Sequence, residues 1–287
     1  MYARRSVCVK LICSMQKKAK PSLASAEEAD DKSQQRAVQS VEVGGRLLLA
    51  LADSASALGL KELAARAEMT PSRAHPYLVS FGRLGLVEQD ASGRYDLGPA
   101  ALRMGLASLQ RLDAMKAAEP VMRTLAAQTG HAIALSVWGN FGPTVVRLIE
   151  ASQPLHVSLR IGSVLSIFDT ATGRAFAAAL PTERLKQAVA GPLGELMPAA
   201  TWRERLKELE AIRAEMRDHG ISRSVGSPIP GVNAFSAVAY DLDGAPALVL
   251  TMTDHQDRLP SGWKNPAAQA LREAAGVVTM RLGGKVA

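Results

Sequence analysis

The stretch LKELAARAEMTPSRAHPYLVSFGRLGLVEQDASGRYDLG, residues 60–98, decides the fold. Leu60, Leu63, Ala64 and Ala67 recur at helical spacing and predict a short amphipathic helix. Glu68-Met69 break it, and Thr70-Pro71 read as an N-cap followed by proline at the first helical position. The helix that follows carries Ala74, Tyr77, Leu78, Phe81 and Leu84 on one face, and Gly85 closes it as a C-cap. Leu86-Val87-Glu88 predicts a strand, Asp90–Gly93 a polar turn, and Arg94-Tyr95-Asp96-Leu97 the alternating return strand. Two helices across a tight break, then a two-stranded ribbon, is the order of a winged helix-turn-helix. A short turn sets the helices steeply across one another, so the second enters the major groove while the first braces it.

Upstream, Val43, Leu47, Leu48 and Leu51 predict one more helix, weakened by Gly44-Gly45 because each interior glycine costs about 1 kcal/mol. Residues 16–36 are rich in Lys, Ser, Ala, Glu and Asp without periodicity and read as linker. Downstream, Pro99–Arg111 places Leu102, Leu106 and Leu109 on one face as a linker helix, and Asp113–Thr129 forms another helix ending at Gly130. The pattern then changes. Strands are expected at 132–138, 144–150, 155–160, 222–225, 233–240 and 247–253, with helices at 171–180, 181–190, 202–219 and 265–282. Asp243-Gly244 is a hairpin signal between the last two strands. Consecutive antiparallel strands with flanking helices make the C-terminal half α+β. The expected organisation is a basic tail and linker (1–36), a DNA-binding domain (37–98), a linker helix (99–112) and a ligand-binding domain (113–287).

The net charge of +7 does not by itself favour nucleic acid. Residues 1–20 hold six basic residues and no acid. Residues 21–98 hold eight basic against eleven acidic, and 99–287 twenty against sixteen. DNA binding must therefore rest on local pattern. Cys8 and Cys13 both sit in the tail and allow neither a disulfide framework nor a zinc cluster elsewhere. No apolar run approaches the ~18 residues of a membrane span. Lys10 interrupts the one stretch that resembles a signal peptide, so a cytoplasmic protein is expected. His75, His131, His156, His219 and His255 have no metal-ligand spacing, and no nucleophile elbow or phosphate-binding loop is present. No metal or cofactor is expected. Asp254-His255 beside Asp257 could mimic a catalytic cluster, but a loop after a strand explains it as well.

The blocks Val38–Val41, Leu60–Ala64, Thr70–His75, Gly85–Glu88 and Gly93–Gly98 together resemble the IclR family of bacterial regulators. In the second half Gly162-Ser163, Thr170–Ala175, Pro230–Asn233 and Asp243-Gly244 extend the resemblance, so that it covers about residues 38–285. The resemblance implies a GAF-like effector domain, a dimer joined through the DNA-binding domains and often paired into a tetramer, double-stranded operator DNA and a small-molecule effector as partners, and control of catabolic or transport genes.

The candidate DNA-binding residues are Lys61, Thr70, Ser72, Arg73, His75 and Arg94. Ser72, Arg73 and His75 lie near the start of the second helix and off its apolar stripe, where a recognition helix meets bases. Arg73 suits a guanine edge or a phosphate, and Arg94 a phosphate or the minor groove. Each could equally be an ordinary solvated side chain. Pro76 departs from the family pattern and is expected to bend the helix. Tyr77 shares a face with Leu78 and Phe81 and reads as core.

For the effector, the resemblance carries over Leu155, Ala171, Thr172, Gly173, Ser224, Ala234, Thr251 and Thr253. Ala171, Thr172 and Gly173 would offer backbone amides at a helix start. Ser224, Thr251 and Thr253 would offer hydroxyls, while Leu155, Ala234 and Phe235 would be apolar walls. A small organic or aromatic acid is the expected ligand class. A buried threonine bonded to its own backbone is the competing reading. A DNA-binding regulator without ligand sensing, or an enzyme built on the second half, are the alternatives.

Overall fold

A computed structural model describes residues 38–155, 159–190 and 199–286. The chain divides into two compact units, with the boundary between Gln110 and Arg111.

The first unit contains α1 (Gln39–Ala52), α2 (Leu60–Arg66), α3 (Pro71–Arg83), the antiparallel ribbon β1 (Val87–Gln89) and β2 (Tyr95–Leu97), and the start of α4 (Pro99–Arg111). Leu47, Leu51, Leu58, Leu63, Ala64, Ala74, Leu78, Val87 and Tyr95 form its core. Gly44 sits in the middle of α1 because α3 passes close there. A Cβ at Gly44 would lie 2.9 Å from the Phe81 ring and 3.0 Å from the Tyr77 ring. Close packing thus offsets the propensity penalty that argued against α1. Tyr77 is half-buried against this core, as its apolar neighbours suggested.

The turn between α2 and α3 is a Schellman motif. Met69 N–H bonds Ala64 C=O (2.9 Å) and Glu68 N–H bonds Ala65 C=O (3.1 Å), with Glu68 at φ 56°. A left-handed residue with a side chain is strained by about 1 kcal/mol. Its contact with Arg46, at 3.7 Å and exposed, offsets little of that. Glu68→Gly should therefore raise stability by roughly 0.5 kcal/mol in a urea melt. A lowered midpoint would assign Glu68 a contact that outweighs its strain. Gly85, at φ 69°, closes α3 with the same motif, through Leu86 N–H to Phe81 C=O (2.9 Å).

Pro76 does not interrupt α3, which runs unbroken from Pro71 to Arg83. Being at the sixth helical position and exposed, it removes a single amide, and Ser80 Oγ donates to its carbonyl (3.0 Å). Leu58, just before α2, bridges to Tyr95 through two backbone bonds and widens the ribbon.

The second unit contains α5 (Ala114–Thr129), β3 (Ala132–Gly139), β4 (Gly142–Ile149), α6 (Ala171–Ala179), α7 (Thr182–Ala190), α8 (Ala199–His219), β5 (Ser222–Val225), β6 (Val232–Tyr240), β7 (Pro246–His255) and α9 (Pro266–Arg281). Asp113 caps α5 by accepting from Met115 N–H and Lys116 N–H, and Gly130 ends it in the left-handed region. The strands form one antiparallel sheet in the order β4-β3-β7-β6-β5. The fold is α+β, as the alternating patterns indicated. The strand expected at 155–160 is not formed at Leu155, Leu159 or Arg160, and 156–158 lie outside the described residues. Asp254 and His255 end β7 rather than forming a loop.

Strand alternation gives the sheet two unlike faces. One carries Ile133, Leu135, Phe235, Ala237, Leu250 and Met252 against α5 and α9. The other faces α6 and α8. Val238, Val249 and Trp138 pack there on Phe168, Phe176, Leu180, Leu209 and Ile212. Beside them the same face turns polar. Ser222, Ser236, Thr251 and Ala134 are register partners and form one row across four strands.

Candidate DNA-binding and effector sites

Lys61, Thr70, Ser72, Arg73, His75 and Arg94 are all exposed. Thr70 is the N-cap of α3, but its hydroxyl pairs with Ser72 Oγ (3.1 Å) instead of capping an amide. Ser72, Arg73 and His75 occupy the first turn and a half of α3, on the side away from buried Ala74 and Leu78. Arg73 and His75 make no ion pair or side-chain hydrogen bond among the described residues. Arg94 leaves a tightly built turn. Asp90 Oδ1 accepts from Ser92 N–H (2.9 Å), Ser92 Oγ (2.7 Å) and Arg94 N–H (2.9 Å). The Ser92 hydroxyl and then the Arg94 amide hold the Asp90 carboxyl below its ordinary value. The wing tip is thus fixed, while the Arg94 side chain stays in solvent.

The effector candidates fall into three places. Leu155 and Thr253 line one pocket of about 400 Å³ together with Ala132, Leu148, Glu150 and Ser152. Among its described lining residues Glu150 is the one ionisable group. Ala234 stands opposite Thr253 in the β6–β7 register, and Thr253 Oγ1 donates to Asn233 C=O (3.2 Å).

Thr172 and Thr251 are buried and meet each other. Thr172 Oγ1 lies 2.7 Å from Thr251 Oγ1, which lies 2.8 Å from Ser236 Oγ. Ser222 Oγ donates to Ala171 C=O (2.6 Å) and so ties α6 to β5. Ser136, on the same face of β3 as Ala134, is fully buried, and its hydroxyl has no partner. Ser236, Ser222 and Ser136 escaped the sequence reading. Their signal was present in the alternation Ala234-Ser236-Val238, but which strands would line up beside them was not.

Gly173 has a different role from the one expected. Its N–H is taken by Thr170 Oγ1 (3.0 Å), which itself donates to Ser166 C=O (2.7 Å). That amide is not available to a ligand; those of Ala171 and Thr172, one and two positions into α6, precede the first intrahelical bond. Glycine is required by proximity, since a Cβ at Gly173 would fall 2.0 Å from Ser166 C=O. Ser224 is half-buried and stands opposite Ala234 in the β5–β6 register, and it lines a separate hollow with Asp169, Arg174 and Glu215.

Asp254 is paired through a residue that sequence reading left alone. His131 Nδ1 donates to its Oδ2 (2.8 Å), and Arg258 Nε (2.9 Å) and Nη2 donate to its Oδ1. His255 instead faces Asp257 at 3.3 Å. Asp254 lies on the sheet face opposite Thr253. Among the described residues no group of three His, Cys, Asp or Glu is placed to hold a metal, and no helix is long and apolar enough to cross a membrane.

Comparison with known proteins matches both units. Residues 106–280 fit the family profile of the bacterial transcriptional regulator IclR C-terminal domain, and residues 40–91 that of the IclR helix-turn-helix domain. The crystal structure of Pseudomonas aeruginosa HmgR superposes with a TM-score of 0.75 at 33% identity, covering 87% of this chain and 100% of that one. The glycerol operon regulatory protein of Streptomyces griseus is 28% identical over 256 residues, 86% of this chain and 98% of its own. The transcriptional repressor IclR of Escherichia coli is 23% identical over 250 residues, 86% of this chain and 91% of its own. The winged first unit and the five-stranded second unit thus both belong to one known architecture, and the chain is a member of the IclR family of DNA-binding transcription regulators.

Proposed function

We propose that this chain is a homodimeric operator-binding regulator whose DNA affinity is changed by a small organic acid held in the second unit. The observation that carries the reading is the hydroxyl row under α6. Sheet faces buried beneath helices are normally apolar, yet here Ser136, Ser222, Ser236, Thr251 and Thr253 are buried side by side. Hydroxyls and the first amides of α6 donate hydrogen bonds without carrying charge, which suits a carboxylate that must also leave. The pocket beside Thr253 is the entry, and Glu150 on its wall limits how much negative charge the ligand brings.

Arg73, Ser72 and His75 would read bases, with Lys61, Thr70 and Arg94 on phosphates or the minor groove. The exposed stripe Leu102, Leu106 and Leu109 on α4 (64%, 50% and 50% exposed) supplies a helix seam between two copies. α4 would also carry the coupling, of a few kcal/mol at most. Pairing of two dimers into a tetramer follows the family pattern and is read by light scattering.

The test is fluorescence anisotropy with promoter DNA flanking its own gene, at two salt concentrations, with and without a panel of aliphatic and aromatic carboxylic acids. Arg73→Ala should weaken binding about 10- to 100-fold and relax preference at one base pair. Equal binding would remove Arg73 from the interface. Leu155→Trp, which fills the pocket, should abolish the response to the active acid and leave DNA affinity within about twofold. An undiminished response would remove this pocket from the sensor.

A further inference from the structure

The second unit has another cavity, on the side of the sheet where β5 ends. β5 pairs with β6 only from Asn233 to Ser236. Gly226 N–H bonds Val232 C=O (3.0 Å), so the even-numbered residues of β6 turn their backbone groups toward that edge. Val238 is the first of them beyond the end of β5. A cavity of about 610 Å³ lies at this uncovered edge, between the C-terminal turns of α8, the middle of α9 and the last described residues.

Its chemistry is one-sided. Arg213, Arg217, Arg272 and Lys285 line it, and among its described lining residues there is no Asp or Glu. Arg213 is engaged by Glu210 (3.2 Å), Thr182 Oγ1 (3.1 Å) and Leu180 C=O (3.2 Å). Arg272 reaches only the carbonyl of His219 (3.3 Å), and neither it nor Arg217 has a carboxylate partner among the described residues. Two guanidinium groups without an acid partner among the described residues are an unbalanced charge in a concave wall, where field lines concentrate. The floor is apolar, from Met216, Val238 and Ala275. Two glycines keep the space open. A side chain at Gly220 would meet Arg272, and one at Gly276 would meet Val286. Burial pushes the Tyr240 phenol up, so it remains a neutral donor on the same wall.

We infer that this cavity is a second ligand site, for an organic anion with a carboxylate or phosphate head and a compact apolar body. The head pairs with Arg217 and Arg272 as a planar fork partner, and the body covers the strand edge. The site is separate from the Leu155–Thr253 pocket. α6 carries Thr172 against the hydroxyl row and Ala178 on the basic cavity.

The probe is octanoate, titrated into the full-length protein by isothermal calorimetry, with octylamine as the control of opposite charge. Octanoate should bind saturably and octylamine should not. Arg217→Glu and Arg272→Glu should each weaken octanoate about tenfold or more, and Arg217→Lys by less than that. Leu155→Trp should leave this binding unchanged. Both arginines are exposed, and unchanged circular-dichroism melts keep the variants comparable. Equal affinity in both glutamate variants, equal binding of octylamine, or loss of octanoate binding in Leu155→Trp would each overturn the assignment.

Discussion

Replacing Gly173 by alanine should unfold the second unit or lower its stability by more than about 3 kcal/mol. The added Cβ would stand 2.0 Å from the carbonyl oxygen of Ser166, 2.5 Å from that of Ile167 and 2.6 Å from the Ile167 carbonyl carbon. All three are backbone atoms, so no side chain can rotate away, and α6 or the segment before it must move. Overpacking that forces backbone shifts costs about 1–3 kcal/mol. Here the shift also breaks the cap formed by Thr170, worth about another 1 kcal/mol. It further separates Ala171 C=O from Ser222 Oγ. The check is a urea melt against Gly262→Ala, where nothing lies within 4 Å and no special φ is needed. The control should stay within about 0.5 kcal/mol of the parent. If Gly173→Ala melted with the control, α6 would not be seated on Ser166 and Ile167 as described.

Gly173 also marks where sequence reading stops. A small residue at a helix start is consistent with an anion-binding amide or with close packing, and the sequence around it is the same in both cases. What decides is Ser166, seven positions earlier, folding back over the helix start. The same limit applies to the hydroxyl row. The period-two alternation of β6 and β7 was legible, and so was the inward side of Thr251 and Thr253. The alignment of Ser222, Ser236, Thr251 and Ala134 in one row depends on strand register, which arises from pairing between residues as far apart in the chain as Ala134 and Thr251, 117 positions. In the first unit the winged order was readable because each boundary has a local cause: Thr70-Pro71 starts α3 and Gly85 ends it. Two residues there go against local helix propensity and are accommodated by their surroundings. Gly44 is tolerated because Tyr77 and Phe81 need the space, and Pro76 because the amide it lacks is at an exposed turn.

Asp254→Ala should destabilise the second unit by about 3 kcal/mol at neutral pH, and the difference from the parent should shrink as the solution is acidified. The Asp254 side chain is 2% exposed. Burial pushes its carboxyl up, but hydrogen bonds from Arg258, His131 and the His255 amide outweigh that and leave it below the ordinary carboxylate value. A carboxyl with a depressed folded value stabilises fully above the unfolded value, near 3.9, and loses that contribution as pH falls through the lower folded value. Removing it strands His131, 12% exposed, and Arg258, 32% exposed, without an acceptor. Because Arg258 can turn to water, the loss belongs at the lower end of the range for broken buried pairs. Urea melts at pH 7 and near pH 3 make the comparison. A gap of equal size at both would mean that Asp254 acts by packing and not by charge. The same variant bears on sensing. Asp254 joins the end of β7 to His131 at the start of β3, and the neighbouring residues on the opposite face, Thr253 and Ala132, form one wall of the ligand pocket. Loosening that junction should weaken the response to the active acid although Asp254 never touches it, and operator affinity without ligand should stay that of the parent.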